Sequence, residues 1–251
     1  MNADGSNVRQ LTTFGFCYSA HFTPDGSKIV FSHSEVEGGL FDIWIMNADG
    51  TNPTNLTNTS NQSEGFPVVS PDGQKIAYLF AWPGGFEIYT MNLDGSDRKP
   101  VTSREVDWMP TWSPDGQQIA FSSFRDDSFN IWVVNRDGTG LRKVTTFGKD
   151  RLAISPLFSP DGQKIAFSTL GRDTGWEIWT VNLDGSNAQR VIEAIGRDQR
   201  HNTALAGWHG DLFLIDGYEG NWDPYIVNAV TGEIQRIEVS NQDDKPSDWL
   251  P

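Results

Sequence analysis

Two short turn motifs alternate along the chain, and their spacing constrains the fold more than any other feature. In both motifs, Asp can bond to nearby backbone and Gly accepts the positive φ that closes a tight turn, while Pro presets φ in the first. Successive copies of the first motif lie 43 to 47 residues apart. The first, Ser/Thr-Pro-Asp-Gly, occupies residues 23–26, 70–73, 113–116 and 159–162, and the second, Asn-x-Asp-Gly, occupies 2–5, 47–50, 92–95, 135–138 and 182–185.

Short segments with high β-propensity flank these turns. In one repeat, residues 75–78 (Lys-Ile-Ala-Tyr) follow the first motif and residues 87–91 (Glu-Ile-Tyr-Thr-Met) precede the second. Each repeat of about 45 residues therefore predicts four strands, which we name a, b, c and d, and this is the signature of a β-propeller blade. No window has the periodicity of a long amphipathic helix, so we predict an all-β fold.

The numbers of predicted strands do not match a whole number of blades. Strands b and c occur five times, whereas strands a and d occur six times, with an extra d at 9–12 and an extra a at 246–251. We therefore predict a six-bladed β-propeller with five complete blades and a partial blade made from both termini. The prediction treats residues 1–251 as one domain that lacks roughly 30 residues, about half a blade, at its N-terminus. The alternative is a closed five-bladed ring.

Composition excludes several classes of partner. The formal net charge is −14 and no basic cluster interrupts it, so we expect no nucleic-acid partner. No apolar run approaches the roughly 20 residues of a spanning helix, and we expect no direct membrane insertion. The single cysteine, Cys17, excludes an intrachain disulfide and a cysteine-based metal cluster. The first residues as given contain no signal peptide, and we expect a monomer.

Residues that could carry chemistry have simpler structural explanations. The aspartates of both turn motifs precede glycine and lack the spacing of calcium loops, so we interpret them as turn formers. The four histidines lie in no metal-ligand motif and no Gly-x-Ser-x-Gly elbow is present, so we predict no catalytic residue, metal or cofactor. An acid or amide begins each strand c, and we interpret it as a structural hydrogen-bonding residue; these residues are Asp42, Glu87, Asn130, Glu177 and Asp223.

The repeat resembles that of the TolB-like β-propeller family over nearly the whole chain. The fullest copy comprises Trp-Ser-Pro-Asp-Gly at 112–116, residues 131–138 and Val-Thr at 144–145. The fifth repeat departs most, because residues 208–211 (Trp-His-Gly-Asp) stand where the first turn motif is expected. The family includes bacterial envelope proteins and the propeller domains of prolyl oligopeptidase-type peptidases. The resemblance implies a bacterial, six-bladed protein located in the periplasm or outside the cell.

Function in a propeller usually lies in the loops around the channel opening, which a rigid ring supports. Because nearly all of the sequence is used by the repeat, we expect a non-catalytic binding or scaffold propeller that presents these loops to a protein, peptide or glycan. The alternative is a propeller domain of a larger enzyme, either a substrate-gating domain of a serine peptidase or a lyase-like propeller. The candidate ligand-binding residues begin strand a or precede it, and they are Tyr18, Glu64, Trp108, Arg151, His201 and Asp244.

Overall fold

The computed structural model describes residues 9–103, 105–171, 175–192, 205–218 and 222–237. In these residues it contains twenty β-strands, arranged as five four-stranded antiparallel sheets, and no helix that could cross a membrane. The strands are β1 (Phe16–Phe22), β2 (Lys28–Ser34), β3 (Asp42–Asn47), β4 (Thr54–Asn55), β5 (Glu64–Val69), β6 (Lys75–Trp82), β7 (Gly85–Asn92), β8 (Lys99–Pro100), β9 (Asp107–Trp112), β10 (Gln118–Ser123), β11 (Asn130–Asn135), β12 (Arg142–Lys143), β13 (Arg151–Phe158), β14 (Lys164–Gly171), β15 (Gly175–Asn182), β16 (Gln189–Ile192), β17 (Leu205–His209), β18 (Leu212–Tyr218), β19 (Trp222–Asn228) and β20 (Ile234–Arg236).

Each sheet is one blade, and its four strands lie in chain order, as strands a, b, c and d. The a strands β1, β5, β9, β13 and β17 contact one another in succession, so strand a is the innermost strand of each blade. The protein is therefore an all-β propeller of four-stranded blades, as the turn motifs predicted. We number the blades 1 to 5 along the chain.

The structure has five blades in a ring, which is the alternative left open by the sequence, and the six-bladed prediction is wrong for the described residues. The predicted extra strand d at 9–12 forms no strand. Leu11 packs instead with Phe31 and Met46 on the face of blade 1. The predicted extra strand a at 246–251 lies outside the described residues.

Leu11 nevertheless lies against blade 1 as Leu56, at the end of blade 1, lies against blade 2. A Cβ atom added to Gly50 in blade 1 would lie 2.9 Å from the carbonyl oxygen of Leu11, and one added to Gly95 in blade 2 would lie 2.9 Å from that of Leu56. Leu56 follows strand d of blade 1. The N-terminal segment therefore covers blade 1 in the same way that the end of one blade covers the next.

Most of the hydrophobic core lies between neighbouring blades. Phe121 of blade 3 shares a cluster of buried side chains with Leu79 and Ile88 of blade 2. Phe167 of blade 4 likewise shares a cluster with Ile131 of blade 3. Because each sheet buries its faces against adjacent sheets, the ring is held together by burial of apolar surface between blades.

The turn motifs have the structural role that the sequence predicted. In the first motif of blade 3, the Ser113 hydroxyl donates to Asp115 Oδ1 at 2.6 Å, and the Gln117 amide donates to the same oxygen at 3.0 Å. These hydrogen bonds hold the pKa of Asp115 below its usual value. In blade 5, where the motif is absent, Gly210 and Asp211 form a shorter turn between β17 and β18.

Candidate functional site

The two ends of the propeller carry different kinds of connection. Both glycine-closed turns, between strands a and b and between strands c and d, lie at one end of each blade. The connections between b and c, and from d to the next a, lie at the opposite end, which we call the mouth. The mouth connections vary in sequence from blade to blade, and variable loops on a rigid scaffold are the usual location of binding sites.

A β-bulge interrupts the innermost strand near the mouth in every blade. In four blades the bulge contains a non-glycine residue with φ between 52° and 55°, and these residues are Ser19, Phe66, Met109 and Ser155. Such conformations are strained and persist where the surrounding structure determines them. A bulge also changes the direction of the side chains beside it. The sequence did not predict it, because three of these residues precede proline, which favours extended backbone at negative φ.

Three consecutive blades expose an aromatic side chain at this bulge. Tyr18 of blade 1 is 47% exposed, Phe66 of blade 2 is 38% exposed and Trp108 of blade 3 is 36% exposed. We call these three side chains the mouth aromatics. Tyr18 and Trp108 occupy the same register position, since they pair with Ser32 and Ser122 at equivalent points of strand b. Exposed aromatic side chains on a rigid frame are typical of recognition surfaces.

Neighbouring rings support the two candidate aromatic residues. The ring of Tyr18 lies 4.3 Å from that of Phe41, centroid to centroid. The ring of Trp108 lies 5.6 Å from that of Phe86 in blade 2 and 6.1 Å from that of Phe129 in blade 3. Each candidate therefore presents one side to solvent and rests on another ring, which limits the rotamer freedom lost when a ligand binds.

Glu64, the second candidate, is buried rather than displayed at the surface. Its side chain is 2% exposed, and the Thr59 hydroxyl lies 3.0 and 3.2 Å from its two carboxylate oxygens. Burial and, less strongly, the nearby charge of Asp42 raise the pKa of Glu64 to about 7, although Thr59 opposes the rise. Glu64 thus links the connection between blades 1 and 2 to the innermost strand of blade 2.

The buried carboxyl group of Glu64 predicts a pH-dependent stability. Since its folded pKa of about 7 exceeds the ordinary glutamate value of 4.5, protonation favours the folded state. Its contribution is fully present below pH 4.5 and is lost as the pH rises through 7. We expect Glu64→Gln to raise the free energy of unfolding at pH 8 by about 2 kcal/mol, because the variant no longer buries a charged carboxylate. This gain is smaller than the rise in the pKa of Glu64 alone implies, since the Gln amide offers the Thr59 hydroxyl fewer acceptor oxygens. Urea denaturation at pH 4.5, 6 and 8 measures this effect.

The exposed Glu37 in the first blade supplies the control. Glu37→Gln removes the same charge without removing a buried carboxylate, so its stability is expected to follow that of the wild type at all three pH values. A Glu64→Gln variant that kept the full pH dependence of the wild type would contradict the assigned ionisation of Glu64.

Arg151, the fourth candidate, belongs to a charged network on blade 4. It forms an ion pair with the buried Glu177, which also accepts hydrogen bonds from Trp179 at 2.8 Å and Arg190 at 3.1 Å. Burial alone would raise the pKa of Glu177, but these donors hold it below its usual value. The guanidinium of Arg151 also lies 5.3 Å from the ring centre of Trp179. Arg151 is therefore already engaged by groups of its own blade.

In blades 1 and 3, the acid or amide that begins strand c has the structural role predicted for it. Asp42 accepts hydrogen bonds from the Thr57 hydroxyl and the Thr59 amide, both at 2.9 Å. Asn130 likewise accepts from the Thr145 hydroxyl at 2.9 Å. In these two blades the contacts attach the connection that leaves strand d to the mouth end of strand c.

The remaining candidates, His201 and Asp244, lie outside the described residues. Within the part of the chain that the structure describes, no group of three or more His, Cys, Asp or Glu side chains is placed to hold a metal ion. Sequence reasoning missed the buried ion pair between Asp107 and Arg125, whose closest atoms are 2.9 Å apart. The signal available was the acidic residue directly before Trp108, at the position that Glu64 holds in blade 2.

Comparisons with known proteins agree with this architecture. TolB from Acinetobacter baumannii superimposes with a TM-score of 0.79 at 20% sequence identity, over 94% of this chain and 58% of that one. A puromycin-hydrolyzing peptidase from Mycobacterium tuberculosis superimposes with a TM-score of 0.65 at 15% identity, over 88% of this chain and 36% of that one. At these identities, both show likeness of fold alone.

Sequence comparison gives closer but shorter matches. The Tol-Pal system protein TolB of Thioalkalivibrio sulfidiphilus is 33% identical over 79 residues, which cover 31% of this chain and 18% of that protein. The chain spans about a third or less of the length of the curated relatives that it matches. A family model described as the TolB beta propeller domain matches residues 35–251. The chain belongs to the TolB β-propeller domain family.

Proposed function

We propose that this protein is a non-catalytic binding propeller that takes a protein, peptide or glycan ligand at its mouth. The observation that carries the proposal is the exposure of an aromatic side chain at the bulge of three successive blades, by Tyr18, Phe66 and Trp108. Aromatic side chains bury a large area with few rotatable bonds, so they contribute much of the affinity in many interfaces. The strained bulges hold them on the rigid innermost strands.

Charge and family membership support two further parts of the proposal. A net charge of −14 favours a ligand that is neutral or basic over one that is acidic. Membership of the TolB propeller family supports a location in the bacterial periplasm or outside the cell. Fractionation of cells that express the protein from its own gene, followed by detection with an antibody, tests that location.

The mouth is tested by comparing ligand capture by matched variants. We expect the double variant Tyr18→Ala/Trp108→Ala to capture the ligand from a cell-envelope extract at least about tenfold less than the wild type, because two aromatic anchors are removed. Leu141 provides the control, since it is an exposed apolar side chain beside the turn between strands c and d, at the opposite end of blade 3.

Quantitative mass spectrometry of the captured material measures the effect, and thermal unfolding checks that each variant is folded. Leu141→Ala is expected to capture the ligand as the wild type does. Equal capture by the wild type and the double variant, or loss of capture by Leu141→Ala alone, would reject the mouth aromatics as the binding surface. The buried Glu64 is unsuitable for this test because its replacement alters stability.

A further inference from the structure

A cavity of about 430 Å³ opens on blade 1, beside the loop that joins strands b and c. Its volume lies in the range of small-ligand sites. The cavity combines an indole ring, two carboxylates and two amides, together with an imidazole. The residues that line it are His33, Ser34, Glu35, Val36, Leu40, Asp42, Trp44, Asn55 and Asn58. The mouth aromatics are not among them.

The corresponding places on blades 3 and 4 are occupied by cationic side chains of the protein itself. In blade 3, the guanidinium of Arg125 lies 5.0 Å from the ring centre of Trp132, and the ammonium of Lys143 lies 5.9 Å from it. In blade 4, the guanidinium of Arg151 lies 5.3 Å from the ring centre of Trp179. A tryptophan in strand c thus has a cation within the range of cation–π attraction in both blades.

Strand register identifies the matching positions in blade 1. Trp44 pairs with Asn55 as Trp132 pairs with Lys143, so Asn55 stands where blade 3 has a lysine. In strand b, His33 of blade 1 is equivalent to Ser123 of blade 3, because the two pair with equivalent residues of strand a. Glu35 lies two residues after His33, and Arg125 lies two residues after Ser123. Glu35 therefore stands where blade 3 has its arginine. Blade 1 keeps the tryptophan but carries neither cation.

The charges in the cavity favour a cation from outside. Asp42 receives its hydrogen bonds from uncharged donors, namely the Asn55 amide, the Thr57 hydroxyl and the Thr59 backbone. Glu35 is 78% exposed, and its carboxylate lies 3.3 Å from His33 Nε2. The described residues that line the cavity include no lysine or arginine. An aromatic ring flanked by carboxylates is suited to bind an organic cation.

We infer that this cavity binds a guanidinium or ammonium group, as carried by an arginine or lysine side chain of a basic peptide. The ring of Trp44 packs against His33, with centroids 4.8 Å apart, and against Phe14, with centroids 5.9 Å apart. The incoming group contacts the part of Trp44 that lines the cavity, and Glu35 and Asp42 supply the negative charge. The net charge of −14 assists the approach of such a partner. The cavity lies at the mouth end of blade 1, but the inference does not depend on the mouth aromatics, because it concerns other residues and a different chemical group.

The test uses two small probes that differ mainly in charge. Nα-acetyl-arginine amide carries a guanidinium, and Nα-acetyl-citrulline amide is its uncharged analogue. Each is titrated into the 15N-labelled protein while the indole N–H signals are recorded, with the signal of Trp44 assigned from Trp44→Phe. We expect the arginine probe to shift the Trp44 signal with a Kd in the millimolar range, and the citrulline probe to bind at least about tenfold more weakly. Nα-acetyl-lysine amide shows whether an ammonium serves as well.

Matched variants locate the site. Glu35→Arg supplies the cation that blade 3 already has, and Asn55→Lys supplies the second one, so each is expected to weaken the arginine probe at least about fivefold. Glu37→Arg makes the same charge change in the same loop without touching the cavity, and it is expected to bind as the wild type does. The dispersion of the amide spectrum verifies that each variant is folded.

Three results would overturn the inference: equal binding of the arginine and citrulline probes, no shift of the Trp44 signal at saturating concentrations, or unchanged binding in both Glu35→Arg and Asn55→Lys. Trp108→Ala is expected to leave binding of the arginine probe unchanged. Failure of the mouth proposal and failure of this inference are therefore separate outcomes.

Discussion

Asp107→Ala is expected to lower the free energy of unfolding by about 4 kcal/mol, because removing one partner of a buried ion pair leaves the other without compensation. Asp107 is completely buried, and both of its carboxylate oxygens lie 2.9 Å from Arg125 Nη2. Arg125 also donates to the Ser123 hydroxyl and lies over Trp132. Urea denaturation followed by far-ultraviolet circular dichroism measures the loss.

Two further variants distinguish the ion pair from general effects of charge. Asp126, which is 49% exposed, pairs with Lys143 at the surface, and Asp126→Asn is expected to change stability by less than about 1 kcal/mol. The double variant Asp107→Leu/Arg125→Met removes both charges together and is expected to recover most of the lost stability. A double variant no more stable than Asp107→Ala would show that the charges themselves do not account for the loss.

The contrast between Asp107 and Glu64 shows what sequence could not predict about the site. Both are acids at the same position of the innermost strand, but the sequence analysis predicted only Glu64 to be a surface ligand-binding residue and made no prediction for Asp107. Asp107 is paired because blade 3 has Arg125 in its loop between strands b and c. Glu64 is held by the Thr59 hydroxyl and has a raised pKa. The difference depends on residues distant in sequence, which only the folded register brings together.

The fold itself was largely predictable, since it follows from local turn chemistry repeated in phase. Turns formed around Asp and Gly determine where strands begin and end, and a repeat of about 45 residues determines how many strands each blade contains. The number of blades was not predictable, because it depends on how segments such as residues 9–12 pack. Those residues resemble a strand d in sequence, yet they lie against blade 1 without forming a strand.

The two turn motifs looked equivalent in sequence, but the structure gives their glycines different surroundings. Gly95, in the turn between strands c and d of blade 2, has φ +84°, and a Cβ there would lie 2.9 Å from the carbonyl oxygen of Leu56. Gly73, in the turn between strands a and b of the same blade, has φ +69°, and its nearest neighbour would be Pro24 Cδ at 3.7 Å. Of these two glycines, only Gly95 therefore lies too close to another backbone segment to accept a side chain.

Gly95→Ala is accordingly expected to lower the free energy of unfolding by about 3 kcal/mol, through backbone strain at positive φ together with displacement of the Leu56 backbone. Gly73→Ala is expected to lower it by only about 1 kcal/mol, because it introduces the strain without the clash. Urea denaturation of the two variants under the same conditions measures the difference, which isolates the close contact beside Gly95. Equal losses in the two variants would contradict the conclusion that glycine is required there by packing as well as by conformation.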